Sequence, residues 1–356
     1  MSSSHGIPSA LDALRRDYES SLSWRVTRPL RAAGRLARWR RSTTARDSSP
    51  LGREPSTIHH DSWLEHFHGE LLGRIDTACA DGGPERYALF RDLDIDVWAL
   101  LLTQQYRSYP NIRALLPSVP EPALQEIWNG ASGVELAAQS GSFYRKLCER
   151  YERHSGLPLT ESRVLDFGCG WGRITRFLAR DVAPGRLYGC DPVQAILDVC
   201  RESGVPAMLA RADLAPERLP FDERFDLAFA FSVFTHLSED VHESCLRALH
   251  NSLRPGAILV VTVRPPEYLR FCDRMHPLLE SLGPDYLSRL EEPRYLFVPH
   301  PSDERHLQFE GGEMTYGETV ITLPYIRERW SSMFQLLEID LLIGDLHQVM
   351  LTLRRQ

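Results

Sequence analysis

One stretch constrains the fold of this chain more than any other: Val164-Leu165-Asp166-Phe167-Gly168-Cys169-Gly170-Trp171-Gly172-Arg173. Val164, Leu165 and Phe167 read as a short buried strand. Glycines at alternate positions then form a turn in which the backbone can come close to a ligand. After Gly172 the apolar positions change period, and Ile174, Phe177 and Leu178 fall on one helical face. A strand, a glycine turn and a helix start in this order predict an α/β fold with a binding site at the carboxyl end of a parallel strand.

The spacing narrows the ligand. A dinucleotide fold uses G-x-G-x-x-G, and here the position of its third glycine is Arg173. No Gly-Lys-Ser/Thr follows, which excludes a Walker phosphate loop. Asp166, at the strand end, would repel a pyrophosphate and suits a cationic amino-acid end. The pattern Asp166, Gly168, Gly170, Gly172 resembles motif I of the class I S-adenosylmethionine (SAM) methyltransferases. The rival reading is an unrelated α/β domain with a glycine-rich turn.

The rest of the core reads as βα units. Strands are expected at about 163–167, 186–191, 207–209, 225–231 and 257–263, with helices to about Arg180, over 192–202 and from Ser238. Phe225 to Phe231 is almost wholly apolar, as a central parallel strand is. Near the C-terminus a helix over 325–334 precedes two apolar segments, 336–343 and 348–353. They are joined by the turn Gly344-Asp345-Leu346-His347, so they must pair antiparallel. The resemblance covers about 160–263 and 318–356. It implies a Rossmann-like seven-stranded mixed sheet with a C-terminal antiparallel hairpin. Residues 264–317 have no βα rhythm and form an insertion, with a helix near 285–292. Segments of this size inside a domain are usually functional. Its His300, Asp303, Glu304 and His306 lack helical metal-ligand spacing, so no metal site is expected.

Upstream, residues 58–155 are mostly helical and are expected to form an N-terminal helical lid. Trp63, Phe67, Leu71 and Leu72 keep helical spacing, as do Phe143, Leu147 and Tyr151, with Pro110, Pro117, Pro120 and Pro122 breaking the chain between them. Asn129 and Ser132 lie in a polar loop that either touches ligand or shapes a turn. Residues 1–57 are a basic arm and linker. Ten arginines face four acids in the first 50 positions, in a chain of net charge −7. From Pro29 a short basic amphipathic helix is expected, with Arg28, Arg31, Arg35 and Arg38 on one face, which suits an anionic membrane surface or an acidic partner; the plain alternative is a solvated arm. The wording Ser21-Leu22-Ser23-Trp24-Arg25-Val26-Thr27-Arg28-Pro29-Leu30-Arg31 resembles a segment of bacterial polysaccharide-assembly enzymes. Seven scattered cysteines without a C-x-x-C pair suggest a reduced cytoplasm. With no apolar run of about 18 residues, the expected location is cytoplasmic, with the arm able to meet the inner membrane face.

SAM presents three ends, each needing its own partner. Asp191, 19 residues after Gly172 and at the end of the second strand, is placed for the ribose hydroxyls. Asp213 and the backbone of Leu214 suit the adenine. Gly168, Gly170 and Gly172 receive the methionyl end, with Asp166 facing its charge. Trp171 and Phe231 offer ring faces to the adenine or sulfonium. His236, just past the fourth strand, is the candidate general base. Tyr325 and Trp330 are candidates for the acceptor pocket. The expected function is SAM-dependent O-methylation of a sugar or glycan. The alternatives are methylation of a secondary metabolite at oxygen or nitrogen, and a non-catalytic nucleotide-fold scaffold. No Asn-Pro-Pro-Tyr signature follows the fourth strand and no basic groove is evident outside the arm, so nucleic acid is not an expected partner.

Overall fold

The computed structural model describes residues 60–80, 82–103, 108–301, 309–310 and 313–356. The basic arm, its linker, and Asp303, Glu304 and His306 lie outside the described residues. Eleven strands are present among the described residues: β1 Val164–Phe167, β2 Leu187–Asp191, β3 Met208–Arg211, β4 Phe225–Ala230, β5 Leu253–Val263, β6 Tyr295–Pro299, β7 Phe309–Glu310, β8 Glu313–Met314, β9 Gly317–Ile321, β10 Phe334–Leu341 and β11 Val349–Arg355. Seven of them form one sheet in the order β10-β11-β5-β4-β1-β2-β3. The five from β1 to β5 are parallel, and β11 and β10 close the sheet as an antiparallel hairpin. The fold is Rossmann-like and mixed. The order reverses between β1 and β4, so a crevice opens at their carboxyl ends, where the glycine turn begins.

Side chains alternate across the sheet. Val164, Leu227, Phe229, Ile258 and Val260 belong to one core; Leu165, Phe167, Ala228, Leu259 and Val261 belong to the other. The first core is completed by the N-terminal helices His60–Ala78, Ile95–Thr103 and Gly133–His154. Phe143 of the last of these meets Phe229 and Phe231 with ring centroids 6.1 and 4.6 Å apart. The region expected as a lid packs against one face of the sheet. Each such buried aromatic or aliphatic side chain contributes about 1.5–3 kcal/mol, which sets this layer firmly in place. Pro110 and Pro122 open helices at Pro110–Leu115 and Pro122–Asn129, where a missing N–H costs nothing, and so do more than interrupt the chain.

Several boundaries differ from the sequence reading. The helix after the glycine turn is only Thr175–Leu178, flanked by turns, and the last helix is Leu323–Arg329. The helix expected near 285–292 is Tyr286–Arg289, one of three short helices with Tyr268–Phe271 and His276–Leu282. β6 and β9 then pair antiparallel as a small second sheet. The inserted unit therefore runs on to Ile321. Its own core contains Leu269, Met275, Leu282, Tyr286, Leu296 and Val320. No helix among the described residues is long and apolar enough to cross a membrane.

Candidate active site

The glycine turn follows β1 directly. Gly168, Gly170 and Gly172 have φ of 78°, 53° and 79°, in the left-handed region that other residues enter at a cost. The three have different surroundings. A Cβ on Gly168 would meet Val233 Cγ2 at 2.4 Å, and one on Gly172 would meet Cys200 Sγ at 2.7 Å. A Cβ on Gly170 would meet nothing within 4 Å. Gly168 and Gly172 are glycines because the protein packs against them. Gly170 faces open space, and its bare backbone is the part of the turn that a ligand can approach.

Two acids hold this turn. Asp191, ending β2, accepts the Gly170 N–H at 3.0 Å and the Val193 N–H at 2.9 Å. Asp166, the next-to-last residue of β1, accepts the Thr175 hydroxyl at 2.6 Å. Burial raises both carboxyls: Asp166 to about 7, helped by the neighbouring charge of Asp191 and opposed by the Thr175 hydrogen bond, and Asp191 to about 6, opposed by its two backbone donors. Both carboxyls therefore take up a proton more readily than an exposed acid. Asp213 lies further along, exposed at the end of β3, in an open cavity of about 350 Å³ lined also by Arg211, Arg218 and Phe221. The Leu214 carbonyl accepts the Cys245 thiol at 3.8 Å.

The aromatic expectations need correction. Trp171 is 1% exposed; its Nε1 donates to Asn129 Oδ1 at 2.9 Å and the Arg176 guanidinium covers its ring at 4.6 Å. The indole holds the N-terminal layer to the turn and presents no ring face to a ligand. Phe231 has Arg173 over its face at 4.7 Å and the edge-to-face contact with Phe143. Asn129 therefore acts on Trp171. Ser132 donates to Glu126 Oε1 at 3.1 Å and shapes the turn. Trp330 is 1% exposed and packs on Phe234 and His242, while the Tyr325 hydroxyl donates to Glu239 at 2.7 Å. Both sit in the core covered by the helix Glu239–Ser252, and neither lines an acceptor pocket. Their spacing before the hairpin was a helix docking on the sheet.

Residues 164–256 match a methyltransferase domain family. A trans-aconitate 2-methyltransferase from Delftia acidovorans is 33% identical over 30% of this chain and 39% of its own length. A ubiquinone biosynthesis O-methyltransferase from Rhizobium etli is 33% identical over 33% of this chain and 47% of its own. The chain thus spans less than half the length of either relative. Among solved structures, an S-adenosylmethionine-dependent methyltransferase from Clostridium acetobutylicum aligns over 65% of this chain and 95% of its own, at 14% identity and a TM-score of 0.41.

Beside residues 164–256, on the side of β4 and β5, lies a cluster the sequence reading saw only in part. His236 is half-buried in the loop after β4. Its Nδ1 donates to the Gly317 carbonyl at 2.8 Å, so Nε2 carries the lone pair and accepts from Arg264 at 3.2 Å. Burial, and then the Arg264 charge, hold the imidazole well below its usual range, so it is neutral at pH 7. Tyr316 stacks on it at 4.8 Å. Arg264 follows β5 directly and forms a buried ion pair with Glu318 of β9. Glu318 also accepts Tyr268 at 3.0 Å and lies 3.2 Å from His300. His236 is therefore a weak base whose lone pair is already engaged. Arg264 and Glu318 escaped the sequence reading because they stand 54 residues apart and meet only when β9 folds back. Ser232, the first residue of this loop, has φ 61°, a strained value for a side-chain-bearing residue at a strand end. Its N–H donates to Thr262 Oγ1 at 2.7 Å.

Proposed function

We propose that this chain transfers a methyl group from S-adenosylmethionine to a hydroxyl oxygen of a sugar or glycan. The observation that carries the cofactor reading is the unit of Asp191 and Gly170: a buried carboxylate at the end of β2 that latches a glycine whose missing Cβ leaves open space. Each Asp191 oxygen has one backbone donor, which leaves acceptor capacity for the two ribose hydroxyls. Asp166 suits the ammonium of the methionyl end. Asp213, which lines the open cavity past β3, and the Leu214 backbone suit the adenine. These residues fit the group; the match of residues 164–256 to a methyltransferase domain supports the same reading.

The bound cofactor supplies a methyl group on a sulfonium, already reactive, so the protein's task is alignment and exclusion of water. An acceptor hydroxyl would lie against the cluster of His236, Arg264, Tyr268, His300, Tyr316 and Glu318. Its one buried cation and one buried anion neutralise each other, and its rings and hydrogen-bonding groups suit a neutral, hydroxyl-rich molecule. His236 Nε2 orients that hydroxyl by accepting from it in place of Arg264. Oxygen is also the atom in the name of the ubiquinone-pathway relatives. The short N-terminal resemblance to polysaccharide-assembly enzymes supports the glycan. A second reading, a small organic acid as acceptor, draws on the trans-aconitate relative.

Calorimetric titration with SAM and with NAD, on the wild type and Asp191→Ala, tests the cofactor. We expect SAM to bind, NAD not to bind, and Asp191→Ala to weaken SAM by about 10–100-fold, the worth of hydrogen bonds to a charged group. A folded wild type that ignores SAM would end this reading. Screening nucleotide sugars, glycans and small carboxylic acids for methyl incorporation then separates the two acceptors.

A further inference from the structure

The loop after β4 is held at two points by neighbouring positions of β5 and its end. Arg264 reaches His236, and Thr262, two residues earlier, reaches Ser232. Ser232 turns the chain out of the strand, in left-handed backbone at φ 61°. Such a value persists only where the surroundings enforce it. The next residue, Val233, packs on Gly168 of the glycine turn so closely that a Cβ there would collide with it. His236 follows, in the polar cluster. The loop thus lies between the glycine turn and that cluster, and whatever fixes Ser232 fixes its contacts with both.

The hold on Ser232 is a chain of hydrogen bonds whose directions follow from its far end. Asp345, in the turn of the C-terminal hairpin, presents carboxylate oxygens, which only accept. One of them takes Gln348 Nε2 at 2.8 Å and Gln139 Nε2 at 3.0 Å. The amide nitrogen of Gln348 therefore faces Asp345, and its oxygen faces the other way, toward Thr262. Thr262 Oγ1 gives its one hydrogen to that oxygen at 2.5 Å. Its lone pairs are left to face Ser232, whose N–H donates to Oγ1 at 2.7 Å. With the amide reversed, Gln348 would donate to Thr262 and compete with Ser232 for those lone pairs. Gln348 and Thr262 are 7% and 0% exposed, so bulk water does not replace either group.

We infer that Gln348 is a positioning residue for methyl transfer: by taking the Thr262 hydrogen it turns the hydroxyl lone pairs to Ser232 and holds the loop after β4 in place. It acts through Thr262 and is not a catalytic residue. The hold on Ser232 stands by itself; its consequence for the reaction rests on the function proposed above. The C-terminal hairpin then does more than close the sheet. Its turn carries Asp345, its second strand is preceded by Gln348, and together they reach the end of β4 through β5.

Amide hydrogen exchange of the full chain reads the hold directly. Gln348→Met keeps the length and loses both polar atoms; Thr262→Val keeps the shape and loses the hydroxyl. We expect each to speed exchange of the Ser232 N–H by about 10–100-fold, the worth of a buried hydrogen bond left unmade. Exchange in β1 and β4 should stay within about threefold of the wild type, since the opening is local. Thr262→Ser, which keeps the hydroxyl, should behave as the wild type. In the Thr262→Val background Gln348→Met should add nothing, because the two act in series. Unchanged Ser232 exchange in Gln348→Met overturns the inference. So does an equal rise through β1 and β4, which would be general loosening, and so do additive effects of the two substitutions. Should the variants not fold, the wild type decides: a Ser232 N–H that exchanges as fast as in a free chain overturns the hold, and a protected one supports it. On any sugar or carboxylic acid that the screen above finds methylated, kcat of Gln348→Met should fall by about 10–100-fold, the cost of a misplaced reacting group. Affinity for S-adenosylhomocysteine, the demethylated cofactor, should hold, because Asp191 and Gly170 are untouched. An unchanged kcat, or an affinity that falls as far as kcat does, overturns the positioning role. If no acceptor is methylated, the exchange result alone decides. A wild type that ignores S-adenosylhomocysteine refutes the cofactor reading; one that binds it while Gln348→Met leaves Ser232 exchange unmoved refutes the inference alone.

Discussion

Asp166 connects a single proton to stability. Its carboxyl titrates near 7 in the folded protein because burial disfavours the charged form. In the unfolded chain it titrates near the usual carboxylate value. Between those two values the folded state holds a proton that the unfolded state has lost, so raising the pH through that window lowers stability. Asp191, near 6, acts in the same direction. Asp166→Asn removes the first of these titrations, and its amide oxygen can still accept from Thr175. We expect the ligand-free variant to melt with the wild type near pH 4 and a few degrees above it at pH 8. Thermal melts across that range check this, and a difference that does not grow with pH would count against a buried anion. On the proposed cofactor reading the same variant binds S-adenosylhomocysteine more weakly at pH 8, because it gives up the carboxylate proposed to face the ammonium. A group that weakens the empty protein while serving the ligand is what a binding site, rather than a structural carboxylate, looks like.

The glycine turn behaves as one element with two jobs, and substitution separates them. Gly172→Ala places a methyl against Cys200 and Val205 in left-handed backbone. The backbone strain of about 1–2 kcal/mol and overpacking of about 1–3 kcal/mol together predict a loss of about 2–5 kcal/mol in urea unfolding. Gly170→Ala has the strain without the clash, so stability should fall by about 1–2 kcal/mol while S-adenosylhomocysteine affinity drops steeply. If the two variants lost stability and affinity in parallel, the division would be wrong. This element was legible in the sequence because its signals are local: a strand period, alternate glycines and a helical period within 15 residues. The C-terminal hairpin was legible for the same reason. What depended on distant pairing was not. β9 runs beside the loop after β4, with Gly317 N–H donating to His236, Thr319 N–H to Thr235, and Thr319 Oγ1 to Leu237. Nothing local in Gly317–Ile321 announces that strap, and the neighbouring His236 looked like a free base until the strap was seen. Tyr325 and Trp330 were misplaced for a related reason, since an aromatic at a helix face has the same spacing whether it meets a ligand or a core.

At the scale of the whole molecule, three bodies meet at the carboxyl ends of β1, β4 and β5, and charge joins them. The N-terminal layer is held by Arg176 and Arg180, and at its far end by Arg150 with Asp340 of β10. The inserted unit from Arg264 to Ile321 is held by Glu318, which pairs with Arg264 and also takes Tyr268 and His300. Glu318→Gln leaves the Arg264 charge buried without its partner, a change that typically costs about 3–5 kcal/mol. The amide oxygen can keep Tyr268, so the loss should report chiefly on the ion pair. We expect urea unfolding to show a loss of about 3 kcal/mol, and limited proteolysis to cut first between 264 and 321. The double variant Arg264→Met, Glu318→Gln should recover most of that stability, because a buried pair replaced by apolar bulk is often neutral. On the proposed reading its methyl-transfer rate does not recover, because Arg264 and Glu318 also set the polarity of the cluster proposed to meet the acceptor and engage the lone pair of His236. Recovery of both would reduce the cluster to a clamp. Loss of neither in Glu318→Gln would mean that the inserted unit is held by its apolar core, Leu269, Met275 and Val320 among others, and not by charge.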